Sequence, residues 1–276
     1  MSGSGKRAVV TGAASGIGQA VARRLLREGV AVIAADVNEA GLGPVIEAGA
    51  TPFVGDLAND GDRDRLVEAG ARVDYLVNAA GIIRLKPILE FTVADIRDIY
   101  AINVEATWDL VSRIGRTMPA GGAIVNLSSS SAKLATTTEA AVYASSKTAV
   151  LSITRSFAYA FAPNGVRVNA ICPGIIDTPM QDKVLADVAA KRGITVEELS
   201  AARNKTVPLG RSASAEECAG AIWFLLDDQS GYMTGQAINY TGGLVTWCGR
   251  MRSCRPARGP TILSRHVDNP ADWKRY

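Results

Sequence analysis

Short, unbroken apolar segments alternate with helical patterns along most of this 276-residue chain. An unbroken apolar run, unlike an alternating one, is typical of a parallel strand that is covered on both faces. Strands that alternate with helices are joined by right-handed crossovers. The pattern therefore predicts an α/β fold, a doubly wound Rossmann-like parallel sheet of about seven strands with helices on both faces. The predicted strands are Lys6–Thr11, Val30–Asp36, Thr51–Gly55, Asp74–Ala79, Ala123–Ser128 and Val166–Ile171. The predicted helices are Gly16–Glu28, Val93–Thr117, Tyr143–Phe161 and Ala215–Leu226.

The length fits one large domain better than two small ones, and we expect that domain to span residues 1–247. Short charged helical patterns at about 177–211 make a long connection, which is typical of a lid. Residues 248–276 form an atypical basic extension with seven Lys or Arg and two Asp. We expect this extension to pack across a neighbouring subunit.

Charge and cysteine content exclude several classes of protein. The whole chain carries +3 and the extension +5, so residues 1–247 carry −2, and no basic surface for nucleic acid is expected. No apolar run approaches the roughly 18 residues of a membrane span. The four cysteines, Cys172, Cys218, Cys248 and Cys254, are too few and too scattered for a disulfide scaffold, so we expect a reducing cytoplasm. Cys248, Cys254 and His266 are too few and too irregularly spaced for a metal site.

A glycine-rich turn, TGAASGIG, lies where the first strand ends and the first helix begins. Gly12 permits the tight turn, Gly16 lets the backbone approach a pyrophosphate, and Gly18 lets helix and strand pack closely. The first helical amides and the helix dipole would then face the phosphates. The turn predicts a dinucleotide site.

Asp36 ends the second strand, twenty-four residues after Gly12, near the spacing expected for a ribose-binding carboxylate. Such a carboxylate accepts hydrogen bonds from ribose hydroxyls and repels a 2′-phosphate. No Lys or Arg lies in the turn or directly after Asp36. The sequence therefore favours NAD(H) over NADP(H).

Tyr143 precedes Lys147 by one helical turn, and the chain has a single histidine, His266. Lowering a phenol pKa from about 10 to about 7 requires roughly 4 kcal/mol. A positive charge about 4 Å away supplies roughly that energy at an effective dielectric constant of 20. We therefore expect the Lys147 ammonium to make Tyr143 a usable acid/base group.

Six motifs occur in an order that resembles the short-chain dehydrogenase/reductase family. They are TGAASGIG, NAAG at Asn78–Gly81, Asn103, the serines at Ser128–Ser131, YASSK at Tyr143–Lys147 and PGIIDT at Pro173–Thr178. The resemblance extends from about Arg7 to Trp247. It implies that Tyr143 is the general acid/base, that Lys147 also holds the nicotinamide ribose, and that Asn103 maintains a water chain from the lysine to solvent.

The resemblance leaves two candidates for the serine that polarises the substrate oxygen. The commoner family spacing, thirteen residues before the tyrosine, gives Ser130. Alignment of the strand AIVNLSS gives Ser129, fourteen residues before Tyr143. We favour Ser129, because the strand register fixes its direction while the following loop can absorb an insertion.

The resemblance also implies the remaining cofactor contacts. Asp56 and Leu57 are expected to flank the adenine, Asn78–Gly81 to support the strand and line the adenosine ribose, and Pro173, Ile176 and Thr178 to hold the nicotinamide carboxamide. The full predicted cofactor set is Gly12, Ser15, Gly16, Ile17, Gly18, Asp36, Val37, Asp56, Leu57, Asn78, Ala79, Ala80, Gly81, Tyr143, Lys147, Pro173, Ile176 and Thr178.

The predicted function is an NAD(H)-dependent oxidoreductase that transfers hydride between nicotinamide and a secondary alcohol or ketone. The ending NYTGGLV resembles polyol and sugar dehydrogenases, which favours a polyol, sugar or cyclic alcohol. Arg84 or Lys133 could anchor a carboxylate, although each is expected to be a solvated loop charge. The alternatives are a 3-hydroxy acid dehydrogenase of the same family and a catalytically silent NAD-binding sensor or scaffold. The resemblance also implies a homotetramer or homodimer.

Overall fold

The computed structural model describes residues 3–134 and 138–246, and within them seven strands form one parallel sheet. The sheet order is β3-β2-β1-β4-β5-β6-β9, and β7 pairs with β8 in a separate two-stranded ladder. The strands are β1 Arg7–Thr11, β2 Ala31–Asp36, β3 Thr51–Val54, β4 Tyr75–Asn78, β5 Ala123–Leu127, β6 Arg167–Pro173, β7 Ile176–Asp177, β8 Ala213–Ser214 and β9 Ala237–Tyr240. The predicted seven-stranded doubly wound sheet is confirmed.

Helices cover both faces of this sheet. The α-helices are α1 Gly16–Arg27, α2 Gly43–Ile46, α3 Asp60–Ala69, α4 Val93–Tyr100, α5 Ala106–Gly115, α6 Ala141–Phe161, α7 Pro179–Arg192, α8 Val196–Asn204 and α9 Ala215–Leu226. Buried side chains of α1 and α9, such as Leu25 and Ile222, form the core with one face. On the other face, α5 and α6 bury Leu110, Ile114 and Phe157 against β4 and β5.

The strand order places a functional crevice at a defined edge of the sheet. The chain moves outward from β1 to β3, then returns to the other side of β1 at β4, so the winding direction reverses between β1 and β4. In open parallel sheets, ligands bind outside the carboxyl ends of the strands at such a reversal. The glycine turn follows β1 at this edge, and Asn78 ends β4 beside it.

The helix predicted over Val93–Thr117 is interrupted. Residues Ala101–Glu105 form a π-helical turn between α4 and α5. Such turns are rare and frequently mark functional sites, and this one carries Asn103. Apolar periodicity cannot reveal the interruption, because the stretch stays amphipathic on both sides of it.

Several elements differ from the sequence-based expectation. The last sheet strand, Ala237–Tyr240, is absent from the predicted strands, and the TGG that follows it forms turns. Helix α3 was not predicted, because it is highly charged and only Leu66 is buried along it. Helices α7 and α8 lie within the predicted lid at 177–211. The predicted extension at 248–276 lies outside the described residues.

Two glycines in different surroundings, Gly115 and Gly43, allow a test of packing on the α5–α6 face. A Cβ on Gly115 would overlap the Phe161 ring, whereas a Cβ on Gly43 would meet nothing within 4 Å. We expect Gly115→Ala to lower the free energy of unfolding by about 1–3 kcal/mol, the usual cost of overpacking. Gly43→Ala, the matched control, should be neutral or slightly stabilising. Urea unfolding measures both, and equal effects would contradict this packing.

Candidate active site

A cavity of about 360 Å³ opens at the carboxyl edge of the sheet, where the strand order reverses. That volume lies within the range of small-molecule sites. The glycine turn, the end of β2, the NAAG segment, the start of α6 and the start of α7 all contribute to its wall. The cavity therefore joins the motifs that were recognised separately in the sequence.

The glycine turn leaves backbone amides available at one end of this cavity. Ser15 is the extended N-cap residue of α1, and its side chain makes no capping hydrogen bond. The first amides of a helix have no intrahelical partner, and the helix dipole makes this end positive. Gly12 adopts φ +69°, and a Cβ there would lie 2.7 Å from the Ala80 nitrogen. Only glycine allows these two backbones to approach so closely.

Asp36 lies in the cavity wall and is held by the turn next to it. Its Oδ2 accepts a hydrogen bond from the Ala14 amide at 3.0 Å, and its Oδ1 accepts one from the Asn38 amide at 2.9 Å. Each carboxylate oxygen has a second lone pair for a ligand hydroxyl. The carboxylate is thus oriented before any ligand arrives.

Ser129, Tyr143 and Lys147 meet at the other end of the cavity. Ser129 Oγ accepts a hydrogen bond from the Ser131 amide at 3.1 Å, and the Ser129 hydroxyl is hydrogen-bonded to the Tyr143 side chain. Ser130 does not line the cavity. The structure therefore places Ser129, the favoured candidate, next to the tyrosine.

Lys147 is buried beneath this pair. Its Nζ donates a hydrogen bond to the Leu127 carbonyl at 2.8 Å and lies 5.8 Å from the centre of the Tyr143 ring. In return, Ser128 Oγ donates to the Lys147 carbonyl at 2.8 Å. These two bonds attach the first turns of α6 to the end of β5.

Burial, rather than the neighbouring charge, dominates the protonation of both groups. Burial raises the pKa of Tyr143, and the hydrogen bond from Ser129 acts in the opposite direction without reversing the shift. Burial also lowers the pKa of Lys147 to about 8. Lys147 does not lower the phenol pKa in this arrangement, because the ammonium is itself poorly solvated and its hydrogen bond goes to the Leu127 carbonyl. That Lys147, together with a bound nicotinamide, makes Tyr143 a usable acid/base group stays a prediction.

Asn103 lies beside the cavity and does not line it. In the π-helical turn, its Oδ1 accepts from the Ile82 amide at 2.9 Å, and its Nδ2 donates to the Ile82 carbonyl and to Ser146 Oγ. A Cβ on Gly81 would lie 3.2 Å from both Asn103 Oδ1 and Lys147 Nζ. Asn103 thus fixes the loop after β4 next to the lysine, and its expected part in a water chain stays a prediction.

Nearly all of the predicted cofactor residues line the cavity, and Asn78 is the exception. Its Nδ2 donates to Asn126 Oδ1 at 2.9 Å, which ties β4 to β5 and fits the expected support of the strand. The residues in the wall are Gly12, Ser15, Gly16, Ile17, Gly18, Asp36, Val37, Asp56, Leu57, Ala79, Ala80, Gly81, Tyr143, Lys147, Pro173, Ile176 and Thr178. Sequence reasoning missed Ile102 and Gln181, which also line it, because no motif marks them.

The two cations considered as substrate anchors are both engaged elsewhere. Arg84 pairs with Asp95 and Asp98. Lys133 is not the solvated loop charge that we expected, since its Nζ donates to the Ala237 carbonyl at 2.9 Å and to Asn239 Oδ1 at 2.6 Å. Within residues 3–134 and 138–246, no cluster of His, Cys, Asp and Glu could hold a metal ion. None of the helices within those residues combines the length and the apolar character that a membrane-spanning segment requires.

Comparison with known proteins agrees with this geometry. The family model described as enoyl-(acyl carrier protein) reductase matches residues 12–245. The chain is 34% identical to sorbitol dehydrogenase of Cereibacter sphaeroides, over 87% of this chain and 97% of that protein. It is 34% identical to galactitol 2-dehydrogenase of Agrobacterium fabrum, over 86% and 96%. A solved actinorhodin polyketide ketoreductase with NADPH superposes with a TM-score of 0.81 at 30% identity, over 88% of this chain and 98% of that one.

The buried Lys147 ammonium should make the free energy of unfolding depend on pH. Lys147 has a pKa of about 8 in the fold, below its ordinary value of 10.5, so its burial penalty is fully present below pH 8 and disappears as the pH rises to 10.5. Between these limits we expect the wild type to gain about 3 kcal/mol in free energy of unfolding relative to Lys147→Met. Urea unfolding across this pH range measures the gain. Lys183→Met, at an exposed position, is the matched control, and a flat difference for Lys147→Met would refute the burial penalty.

Proposed function

Because the chain belongs to the short-chain dehydrogenase/reductase family, we propose that it is an NAD(H)-dependent dehydrogenase that interconverts a secondary alcohol and a ketone. The observation that carries this proposal is the shared cavity. Ser129, Tyr143 and Lys147 stand at one end of it, and the glycine turn and Asp36 stand at the other. A protein that only senses a nucleotide needs the glycine turn and Asp36, and it has no use for Ser129, Tyr143 and Lys147.

The chain's own residues fit a dinucleotide. The uncapped start of α1 supplies amides for a pyrophosphate, and a side chain at Gly12 would obstruct the backbone beside it. Asp36 supports NAD over NADP, since an oriented carboxylate accepts from ribose hydroxyls and repels a phosphate there. The ketoreductase with NADPH shows that this fold also takes the phosphorylated cofactor, so the choice rests on Asp36. When bound, the nicotinamide supplies or accepts the hydride.

Each residue at the reacting end has a distinct proposed role. Tyr143 exchanges the proton with the substrate oxygen, and Ser129 holds that oxygen in place by a hydrogen bond. The Ser131 amide occupies one lone pair of Ser129 Oγ, which directs the hydroxyl toward the tyrosine side of the cavity. Lys147 adds positive potential and offers its remaining N–H groups to a ribose hydroxyl. Asn103 positions the loop behind Lys147.

We propose a polyol, sugar or cyclic alcohol as the substrate. The relatives named for sorbitol and galactitol support a polyhydroxylated compound. Ile82 and Met180 add apolar area to the wall, which suits a carbon skeleton. We also propose a homotetramer or homodimer, supported by large apolar side chains left exposed in the single chain, such as Leu89 at 96% and Trp108 at 51%.

The catalytic assignment can be tested with the neighbouring serines. We expect Ser129→Ala to lower kcat by about 10²- to 10³-fold, while Ser130→Ala stays near the wild type. Tyr143→Phe should reduce kcat by about 10³-fold or more and leave NADH binding within a few-fold. NADH formation from a panel of polyols, sugars and cyclic alcohols gives the rates, and fluorescence titration gives the Kd. Loss of turnover in Ser130→Ala alone would move the role to Ser130.

Cofactor choice depends on one charge. Asp36→Asn keeps the shape of the side chain and removes the negative charge. We expect the ratio of kcat/KM for NAD⁺ to that for NADP⁺ to fall by about 10- to 100-fold, the value of one or two hydrogen bonds to a charged group. Steady-state kinetics with both cofactors measures the ratio. A wild type that prefers NADP⁺ would overturn the assignment.

A further inference from the structure

Helix α8 carries a guanidinium that sequence reasoning passed over. Arg203 lies in the last turn of α8 and is partly buried. With the Gln181 amide turned so that its oxygen faces the guanidinium, both terminal nitrogens of Arg203 donate to that oxygen, Nη2 at 2.8 Å. Gln181 belongs to the first turn of α7 and lines the cavity. Arg203 therefore stands directly behind the cavity wall.

This guanidinium has no anionic partner among residues 3–134 and 138–246, where Arg84, Lys86, Lys191 and Arg211 all pair with carboxylates. Burial lowers the pKa of Arg203, and the nearby positive charge of Arg192 lowers it further. Burying a charge without a counter-charge costs free energy, and an anion beside it recovers that cost. The arrangement is costly for the protein alone and favourable once an oxyanion binds.

We propose that Arg203 and Gln181 hold an oxyanion of the substrate, so that the preferred substrate is a hydroxy compound with a carboxylate or phosphate group. The inference rests on the proposed function and specifies its substrate class. The planar fork of arginine matches the two oxygens of a carboxylate or phosphate. With its oxygen turned to Arg203, Gln181 also leaves its amide NH₂ as a donor. Gln181 and Tyr143 line the same cavity, so a molecule whose anion is held at Gln181 shares that cavity with the phenol.

Two other roles for Arg203 predict different results. If Arg203 only ties α8 to α7, its loss affects charged and neutral substrates equally. If it binds the pyrophosphate of the dinucleotide, its loss raises the Kd of NADH. Only a substrate oxyanion makes the effect depend on the charge of the substrate.

The test compares substrates that share a polyol skeleton and differ in charge: D-sorbitol, D-gluconate and D-sorbitol 6-phosphate. Arg203→Met keeps an apolar stem and removes the charge, and Arg203→Lys keeps a charge without the fork. At saturating NAD⁺, we expect the wild type to prefer one of the two anions. Arg203→Met should raise KM for that anion about 10- to 100-fold, the loss expected for charge-assisted hydrogen bonds. The KM of Arg203→Met for sorbitol should stay within about twofold of the wild-type value. The KM of Arg203→Lys for the preferred anion should lie between those of the wild type and Arg203→Met.

Lys205→Met, an exposed position two residues away, is the matched control and should leave all three KM values unchanged. Gluconate preference identifies a carboxylate, and preference for the phosphate ester identifies a phosphate. Equal turnover of neutral and charged substrates, an equal effect of Arg203→Met on all three, or a raised Kd for NADH overturns the proposal.

Calorimetric binding of gluconate and sorbitol 6-phosphate to the NADH complex separates this inference from the proposed function. Anion binding that Arg203→Met abolishes, without turnover of any compound, supports the oxyanion site and contradicts the dehydrogenase. Turnover of neutral polyols with no binding of either anion supports the dehydrogenase and contradicts the oxyanion site. Arg203→Gln provides a second charge-free variant if Arg203→Met does not fold.

Discussion

The attachment of α6 to the end of β5 is the contact on which the reacting end of the cavity depends. Lys147 Nζ reaches the Leu127 carbonyl, and Ser128 Oγ reaches the Lys147 carbonyl, both at 2.8 Å. This reciprocal pair fixes the rotation and height of the helix relative to the strand. Tyr143 lies one turn before Lys147, and Ser129 follows Ser128, so the same two bonds bring the phenol and the serine hydroxyl together. The lysine is therefore a structural anchor as well as a charge.

The anchor also has a cost that the rest of the fold must offset. A buried ammonium with a pKa near 8 destabilises the folded chain at neutral pH, because the unfolded chain solvates it better. The offset comes from apolar packing on both faces of the sheet, where residues such as Leu25, Ile114 and Ile222 are fully buried. A polar chain from Asn78 through Asn126 to Thr154 connects β4, β5 and α6 inside this core. The rigid centre of the sheet thus supports an arrangement that local interactions alone would not favour.

The sequence was sufficient for the fold class and for most of the cavity wall, because both depend on local patterns. Apolar runs identify buried parallel strands, and the glycine turn with Asp36 marks the edge where the strands end. The direction of the Tyr143 pKa could not be predicted, because it depends on burial, and burial depends on how α6 packs. The π-helical turn at Asn103 and the position of Gln181 likewise depend on contacts between distant segments. The strand register favoured Ser129 over Ser130, and of these two only Ser129 lines the cavity; its catalytic role stays a prediction.

Acidic and basic residues lie at different places around the cavity, and their positions affect both the proton transfer and the binding of the substrate. Asp36 and Asp56 line the cavity together with the glycine turn, whereas Lys147 lines it beside Tyr143 and Arg203 lies behind Gln181. A positive potential in a poorly solvated site favours any group that becomes negative there, including the Tyr143 phenolate and an alkoxide on the substrate. The same potential would attract a substrate that already carries a negative charge. Burial raises the phenol pKa, so Tyr143 needs this potential to act as a base, and an anion bound at Arg203 would cancel part of it. An oxyanion held by Gln181 and Arg203 would leave the Lys147 ammonium, which is bonded to the Leu127 carbonyl, as the positive charge beside the phenol, which is why we place the substrate charge there and not beside the tyrosine.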